Sequence, residues 1–331
     1  VPREKEIYDT RCHDTGSESC PCFLADAGQC IACPVLRGEQ DCDACAWGGV
    51  CVYDSYSRGD QAHTRRYIRA PIKSEKSTAA GLHCVTVHTP RHWSAELRQP
   101  GSFLMVKPPG SEETWACPMA VFSVASSGEL STIVYRERGP KTQQLARHLK
   151  TWEVAGPYRS GLLGVRRLNR AVDCDALILT SGTGQSLLPN ILRRLNDNNC
   201  SVQIALDPGM DGAAYVVQAL PEFAGSLSLI RLDAEIAGCR QESTAGIISS
   251  SSAPLVISLG SDHLHIKVGA ALQRDRLWVA SNNRIMVCAA GWCGACTVIR
   301  RDGSELRGCR ADIAPEDVFW SGDWKGERDS R

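Results

Sequence analysis

From about Tyr67 onward the chain is built of short apolar segments broken by turn residues, and the period of those segments changes near Gly161. In the first stretch, Leu82–His88, Phe103–Val106, Met119–Val124 and Leu130–Tyr135 show the alternation or short apolar runs of strands. Pro100-Gly101, Pro108-Pro109-Gly110 and Ser127-Gly128 separate them as turns. Several short strands without a helix among them predict a small antiparallel β-barrel. The run Arg138-Gly139-Pro140-Lys141-Thr142 then opens a helix through Ala146. Exposed N–H groups, the positive end of the helix dipole and Lys141 can all face a phosphate there. Many helices begin this way only to cap themselves.

Beyond Gly161 the pattern becomes α/β. Ala176–Thr180 is a continuous apolar run suited to a buried parallel strand, and it leads into Ser181-Gly182-Thr183-Gly184-Gln185-Ser186 and a helix over Leu187–Leu195. Strand, glycine turn and helix start together form the usual seat of a dinucleotide pyrophosphate, although a single G-x-G after a strand also occurs in plain α/β cores. The next strand, Ser201–Leu206, ends at Asp207. A carboxylate at that place accepts from a ribose diol and repels a 2′-phosphate, which favours NADH over NADPH. Leu227–Leu232 and Pro254–Leu259 predict two further strands, the second leading into Gly260-Ser261-Asp262. His263 and His265 alternate beside that turn and are expected to decorate one strand face.

Composition narrows the picture. At 331 residues the chain is long for one domain. Its 37 basic and 37 acidic residues balance, so no field selects nucleic acid or anionic lipid. There are 17 cysteines, an odd number, and neither an apolar signal core in Val-Pro-Arg-Glu-Lys-Glu nor a segment approaching a membrane span. Metal ligation in a reducing cytoplasm is therefore expected, with no membrane partner.

The cysteines cluster at two places. Cys288, Cys293, Cys296 and Cys309 read C-x4-C-x2-C-x12-C, with Gly291, Gly294 and Ala295 in the loop and a strand-like Thr297-Val298-Ile299 before a turn at Asp302-Gly303. Small residues let three sulfurs of one loop face one object, and a fourth arrives from a separate segment, the pattern of a [2Fe–2S] cluster. A structural zinc knuckle competes, but zinc usually takes two C-x2-C pairs and one is present here. Trp292 within the loop would exclude water from a cluster or serve as a packing anchor. Cys12, Cys20, Cys22, Cys30, Cys33, Cys42, Cys45 and Cys51 form a second set in a segment with hardly any apolar periodicity. Such a segment cannot fold on carbon burial alone, and metal binding would supply the missing cohesion. The eight thiols suffice for one or two further iron–sulfur clusters, for zinc, or for a disulfide framework. Cys84, Cys117, Cys174, Cys200 and Cys239 are scattered, as small buried side chains are.

The order of these parts is similar to that of the ferredoxin-NADP reductase superfamily. Within it the chain resembles the electron-transfer subunit of dihydroorotate dehydrogenase B and the small subunit of NADH-dependent ferredoxin:NADP oxidoreductase. The motifs that carry this are Pro118-Met119-Ala120-Val121-Phe122-Ser123, Arg138-Gly139-Pro140-Lys141-Thr142, Gly156-Pro157-Tyr158, Gly182-Thr183-Gly184 and the four-cysteine loop closing with Ala311-Asp312. The resemblance implies that Pro118, Met119, Val121, Phe122 and Ser123 lie along FAD, with Ser123 near N5, the atom that exchanges hydride. It further implies that Gly139, Lys141 and Thr142 hold the FAD pyrophosphate, with Gly156 and Pro157 beneath it, and that Gly182, Thr183 and Gly184 hold NAD(H). Three departures stand out: Cys117 replaces the arginine of many members, the nucleotide turn continues as Gln185-Ser186-Leu187-Leu188-Pro189 instead of reaching proline sooner, and the eight-cysteine segment is an addition. The expected organisation is a Cys-rich metal module (1–57), an FAD-binding barrel (58–160), an NAD(P)-binding α/β domain with a parallel sheet (161–280) and a [2Fe–2S] segment (281–331). The expected role is electron transfer between NADH or a ferredoxin-type donor and a larger oxidoreductase subunit, in the cytoplasm. A stand-alone NADH:acceptor reductase and a non-catalytic scaffold or sensor are the competing readings.

Overall fold

The computed structural model describes residues 11–60, 65–78, 81–208, 220–221, 224–232, 241–300 and 303–319. Cys239 and Asp302 lie outside them, as does the amino-terminal run Val1–Glu6. Contacts divide the chain into two compact units. One holds Leu163–Asn283 and the segment from Ala314; the other holds the chain up to Leu162 together with Arg284–Ile313.

The second unit is built on a closed antiparallel barrel. Its strands are β2 (Ile68–Ser77), β3 (Leu82–His88), β4 (Phe103–Lys107), β5 (Cys117–Val124), β6 (Leu130–Arg136) and β7 (Thr151–Tyr158), in the order β2-β3-β6-β5-β4-β7, and a short β1 (Arg11–Cys12) precedes them in the chain. Alternation fills the interior: Val85, Val87, Leu104, Val106, Met119, Val121, Ile133, Trp152 and Val154 form one core cluster. Each such side chain contributes roughly 1.5–3 kcal/mol on burial. Four of the six strands follow the apolar pattern expected; periodicity marks neither β2 nor β7, although the family resemblance implies a strand end at Gly156 and Pro157, where β7 lies. Strand β2 reads Ile-Arg-Ala-Pro-Ile-Lys-Ser-Glu-Lys-Ser, with Ala70 its one fully buried side chain, so it carries no alternation to read. Helix α1 (Pro140–Arg147) follows β6 and buries Leu145 in the barrel core, where the Trp152 indole donates to the Leu145 carbonyl at 3.3 Å.

The first unit carries the parallel sheet. Five strands of its six-stranded sheet lie in the order β10-β9-β8-β11-β12: β8 (Asp175–Ser181), β9 (Ser201–Asp207), β10 (Gly225–Leu229), β11 (Leu255–Leu259) and β12 (Leu277–Ser281). All four pairings are parallel. Residues 176–180 and 255–259 are buried throughout, as continuous apolar runs demand. The expected strand over Leu227–Leu232 is divided into Gly225–Leu229 and a short Arg231–Leu232 strand that pairs with Gln241–Glu242. A 3-10 turn at Gly182–Leu187 follows β8 and runs into helix α2 (Leu188–Asp197).

One expectation is corrected outright. His263 and His265 lie on a helix, α3 (Asp262–Ala271), and not on a strand face. Ser261 caps it, its hydroxyl accepting from the Leu264 N–H at 3.5 Å, a local start signal that outweighs two-residue alternation. His265 is fully buried, with Nδ1 at 2.8 Å from the Ser258 hydroxyl and Nε2 at 2.9 Å from that of Ser281.

Candidate functional site

The four carboxy-terminal cysteines are drawn together by backbone geometry. Ala289, Gly291 and Gly294 adopt positive φ (48°, 89° and 74°), which coils residues 288–296 into a tight loop. A hairpin of Thr297–Ile299 against Glu305–Arg307 then returns the chain, and the Gly308 N–H donates to the Cys296 carbonyl at 3.0 Å. This brings Cys309 back to the loop. Its thiol hydrogen-bonds those of both Cys288 and Cys296, while Cys288 also hydrogen-bonds Cys293. These bonds from Cys309 pull Cys288 and Cys296 below the usual thiol range, and the same bonds hold Cys309 above it. Backbone N–H groups of Ala290 and Cys309 point at the sulfurs of Cys288 and Cys296, at 3.3 and 3.4 Å. The contacts form one chain, Cys293 to Cys288 to Cys309 to Cys296, so all four thiols gather at one place. Among the described residues no group of three or more His, Cys, Asp and Glu side chains is arranged to hold a metal ion. The loop packs on the barrel, where Cys296, Cys309, Ala289 and Met286 share a cluster with Phe103, Met105 and Tyr158. Trp292 is neither anchor nor seal, being 59 % exposed.

The structure divides the amino-terminal cysteines. Cys30 and Cys33 are buried, Cys20 and Cys22 half-buried, and the charges of these thiols act on one another. The Cys33 N–H points at the Cys30 sulfur at 3.4 Å. Cys12 is close enough to feel Cys20 and Cys22, and burial pushes its thiol up to about 12. Cys42, Cys45 and Cys51 are exposed.

This segment is knit to the carboxy-terminal loop. Strand β1 pairs antiparallel with Ala311–Asp312, and the His13 N–H donates to the Arg310 carbonyl at 2.8 Å. Asp14, 5 % exposed, lies between two guanidinium groups: Arg65 at 2.8 Å and Arg310, which also donates to the Ala290 carbonyl at 3.1 Å. Beside this seam lies a cavity of about 1180 Å³ lined by Cys22, Tyr56, Tyr67, Tyr158, Cys288 and Trp292, so both thiol groups open onto one space.

On the barrel, the structure joins two of the expected motifs. The Lys141 ammonium donates to the carbonyl of Ala116 at 3.2 Å, which sets the start of α1 beside the head of β5. The Thr142 hydroxyl is committed to the cap, accepting from the N–H groups of Arg138 and Gly139 at 2.9 and 3.1 Å. No atom approaches within 4 Å of a Cβ built on Gly139, so the backbone there is open to a ligand. Along β5, Pro118 is exposed and Ala120 and Ser123 half-buried, while Met119 and Val121 point into the core and Phe122 is buried. Ala120 is the outward residue that pattern reading passed over; its half-exposure between two core positions is the signal that finds it. On β7, Gly156 and Pro157 are buried, and a Cβ on Gly156 would lie 2.6 Å from Leu104.

In the α/β unit, Gly182, Thr183 and Gly184 lie at the carboxyl end of β8, between β9 on one side and β11 on the other. Strand order reverses there, the place where open α/β sheets bind ligands. Gly182 has φ +55° and open space where a side chain would be; a Cβ on Gly184 would meet the Leu259 carbonyl at 2.4 Å. Asp207 shares this edge, opposite Ser181 in register, but it is buried and accepts from the Leu232 N–H at 3.1 Å.

No protein-family model matches the sequence, and no curated protein matches it. Solved structures do. The NADH-dependent reduced ferredoxin-NADP oxidoreductase studied for flavin-based electron bifurcation is 19 % identical over 76 % of this chain and 90 % of its own, with a TM-score of 0.59. Full-length CYP116B46 from Tepidiphilus thermophilus gives 0.58 at 11 % identity, over 84 % of this chain and 43 % of its own. An intact type IV self-sufficient cytochrome P450 monooxygenase gives 0.50 at 12 % identity, over 75 % and 40 %. A closed six-stranded barrel followed in the chain by a parallel α/β sheet, with these likenesses, shows that this chain shares the fold of the NADH-dependent reduced ferredoxin-NADP oxidoreductase.

Proposed function

We propose that this chain is a flavin and iron–sulfur electron-transfer protein, an oxidoreductase subunit linked to NADH. The observation that carries the reading is the gathering of Cys288, Cys293, Cys296 and Cys309 by a loop and a returning hairpin, in the same compact unit as the barrel. A [2Fe–2S] cluster is the body these four thiolates would hold. Cys20, Cys22, Cys30 and Cys33 would hold a further iron–sulfur site. FAD would lie along β5 with its pyrophosphate at Gly139 and Lys141, and it supplies two-electron exchange with nicotinamide and one-electron exchange with clusters. The protein's own groups place and shield. Lys141 offers a positive charge at the open helix start, Pro118, Ala120 and Ser123 offer the outward edge of β5, and Gly182 gives backbone access at the reversal of strand order.

Partners follow from what the site contains. No acid, base or nucleophile set for transforming an organic molecule converges among the described residues, so electrons would pass to a second polypeptide, a larger oxidoreductase subunit or a ferredoxin. Among the described residues no helix is long and apolar enough to cross a membrane.

Cys293→Ser is the test. It should abolish the [2Fe–2S] signal in electron paramagnetic resonance of the reduced protein and leave FAD bound. An unchanged [2Fe–2S] spectrum would defeat the ligand assignment, and a chain purified without flavin would defeat the electron-transfer reading itself.

A further inference from the structure

Cys174 and Cys200 belong to neither thiol group, yet they face each other. They stand immediately before β8 and β9, whose parallel register pairs Asp175 with Ser201, so the two cysteines are neighbours at the amino edge of the sheet. Their sulfurs are 3.6 Å apart. Matching turns hold them there: Asp173 and Asn199 both have positive φ (49° and 56°), the Asp173 N–H donates to the Asn198 carbonyl at 3.0 Å, and the Asn199 amide donates to the Asp173 carboxylate at 2.7 Å. The Ser201 N–H closes the set on the Cys174 carbonyl at 3.1 Å. Adjacent strands lie about 4.8 Å apart, inside the roughly 4.4–6.8 Å that a disulfide spans between Cα atoms. A free cysteine also packs as a small apolar side chain; here a doubled turn in addition sets the two sulfurs against each other. Access is unequal, since Cys200 is buried and Cys174 half-buried.

We propose that Cys174 and Cys200 form a reversible dithiol–disulfide couple, a modification site on the α/β unit that reacts with small-molecule disulfides. Cys174, the reachable sulfur, loses its proton and attacks one sulfur of the reagent, forming a mixed disulfide and releasing one reagent thiolate. Cys200 then loses its proton and attacks the Cys174 sulfur, forming the protein disulfide and releasing the second thiolate, which picks up the proton. Two protein thiols are oxidised and one reagent disulfide is reduced to two thiols. Burial and the bond to Cys200 hold the Cys174 thiol up at about 11, so attack is slow at neutral pH and quickens as pH rises.

Oxidised glutathione is the probe, applied anaerobically to the full chain with its metal centres in place. Free thiols are then alkylated and tryptic peptides weighed; cleavage at Arg170, Arg193 and Arg194 puts the two cysteines on different peptides. The expected product is a linked Cys174–Cys200 peptide pair, at least ten-fold more abundant than any pair containing Cys84 or Cys117 and removed by dithiothreitol. Cys200→Ser should instead accumulate a stable glutathione adduct on Cys174. In the unmutated chain, a persistent Cys174 adduct without the linked pair, or both thiols left free to alkylate, would overturn the proposal.

Discussion

Asp14→Asn tests the seam between the amino-terminal segment and the carboxy-terminal loop. The carboxylate is 5 % exposed and is shared by two guanidinium groups that are themselves largely buried, Arg65 over the face of Tyr158 at 4.7 Å and Arg310 against the Cys288 loop. The amide keeps the shape but removes the charge and one acceptor, leaving two like charges facing each other out of water. Breaking a buried pair by removing one partner costs about 3–5 kcal/mol. One acceptor survives in the amide, so about 3 kcal/mol is expected here. At roughly 2–4 °C per kcal/mol for a unit of this size, the unfolding midpoint should fall by about 6–12 °C. Calorimetry of the anaerobic protein measures it, and Arg65→Met supplies the second arm. In the Asp14→Asn background that change removes an unpaired buried charge, so it should cost much less than it does alone. A midpoint shift under about 1 °C, with Arg65→Met equally costly in both backgrounds, would show that water screens these charges and would refute the reasoning.

Gly184→Ala should weaken NADH binding at least ten-fold while leaving flavin content unchanged, because its Cβ would lie 2.4 Å from the Leu259 carbonyl and displace the turn from β11; titration of nucleotide into the purified chain measures both. Glu153, hydrogen-bonded by the Lys107 ammonium at 2.5 Å and the Gly110 N–H at 3.1 Å, is held below the usual carboxylate range chiefly by the bond to Lys107. A depressed carboxyl stabilises the fold above its unfolded value of about 4.3 and loses that contribution as pH falls through its folded value. Glu153→Gln should therefore be less stable than the unmutated chain at pH 7, by a margin that closes as pH falls below about 4; urea midpoints across pH show this, and a margin independent of pH would refute it. Anaerobic protein should contain more than the about two iron atoms of one [2Fe–2S] cluster. Cys30→Ser should remove the excess and spare the FAD absorbance, and iron unchanged by that substitution would release the amino-terminal thiols from metal.

What could be read from the chain follows how local the cause is. Ala176–Thr180 is apolar because water is excluded from both faces of β8, and any reader of composition finds it. The Cys288 loop is legible because its geometry needs small residues at nearby positions. Strand β2 is illegible because neighbours on both sides supply its hydrogen bonds while its side chains stay mostly in solvent. The helix carrying His265 was hidden by an alternating pair of histidines, though Ser261 was there to mark its start. Pairing of Arg11–Cys12 with Ala311–Asp312 leaves no local trace at all, and the same holds for the commitment of Asp207 to the Leu232 N–H.

That pairing has a consequence for synthesis. Asp14 and Arg310 are separated by 296 positions. At about 5–20 residues per second, a ribosome adds those positions in roughly 15–60 s. Until the end of that interval, the strand that pairs with β1 and one of the two cations that flank Asp14 do not exist. A chain halted before Cys309 therefore leaves the cysteines from Cys12 to Cys33 without the seam that joins them to the Cys288 loop.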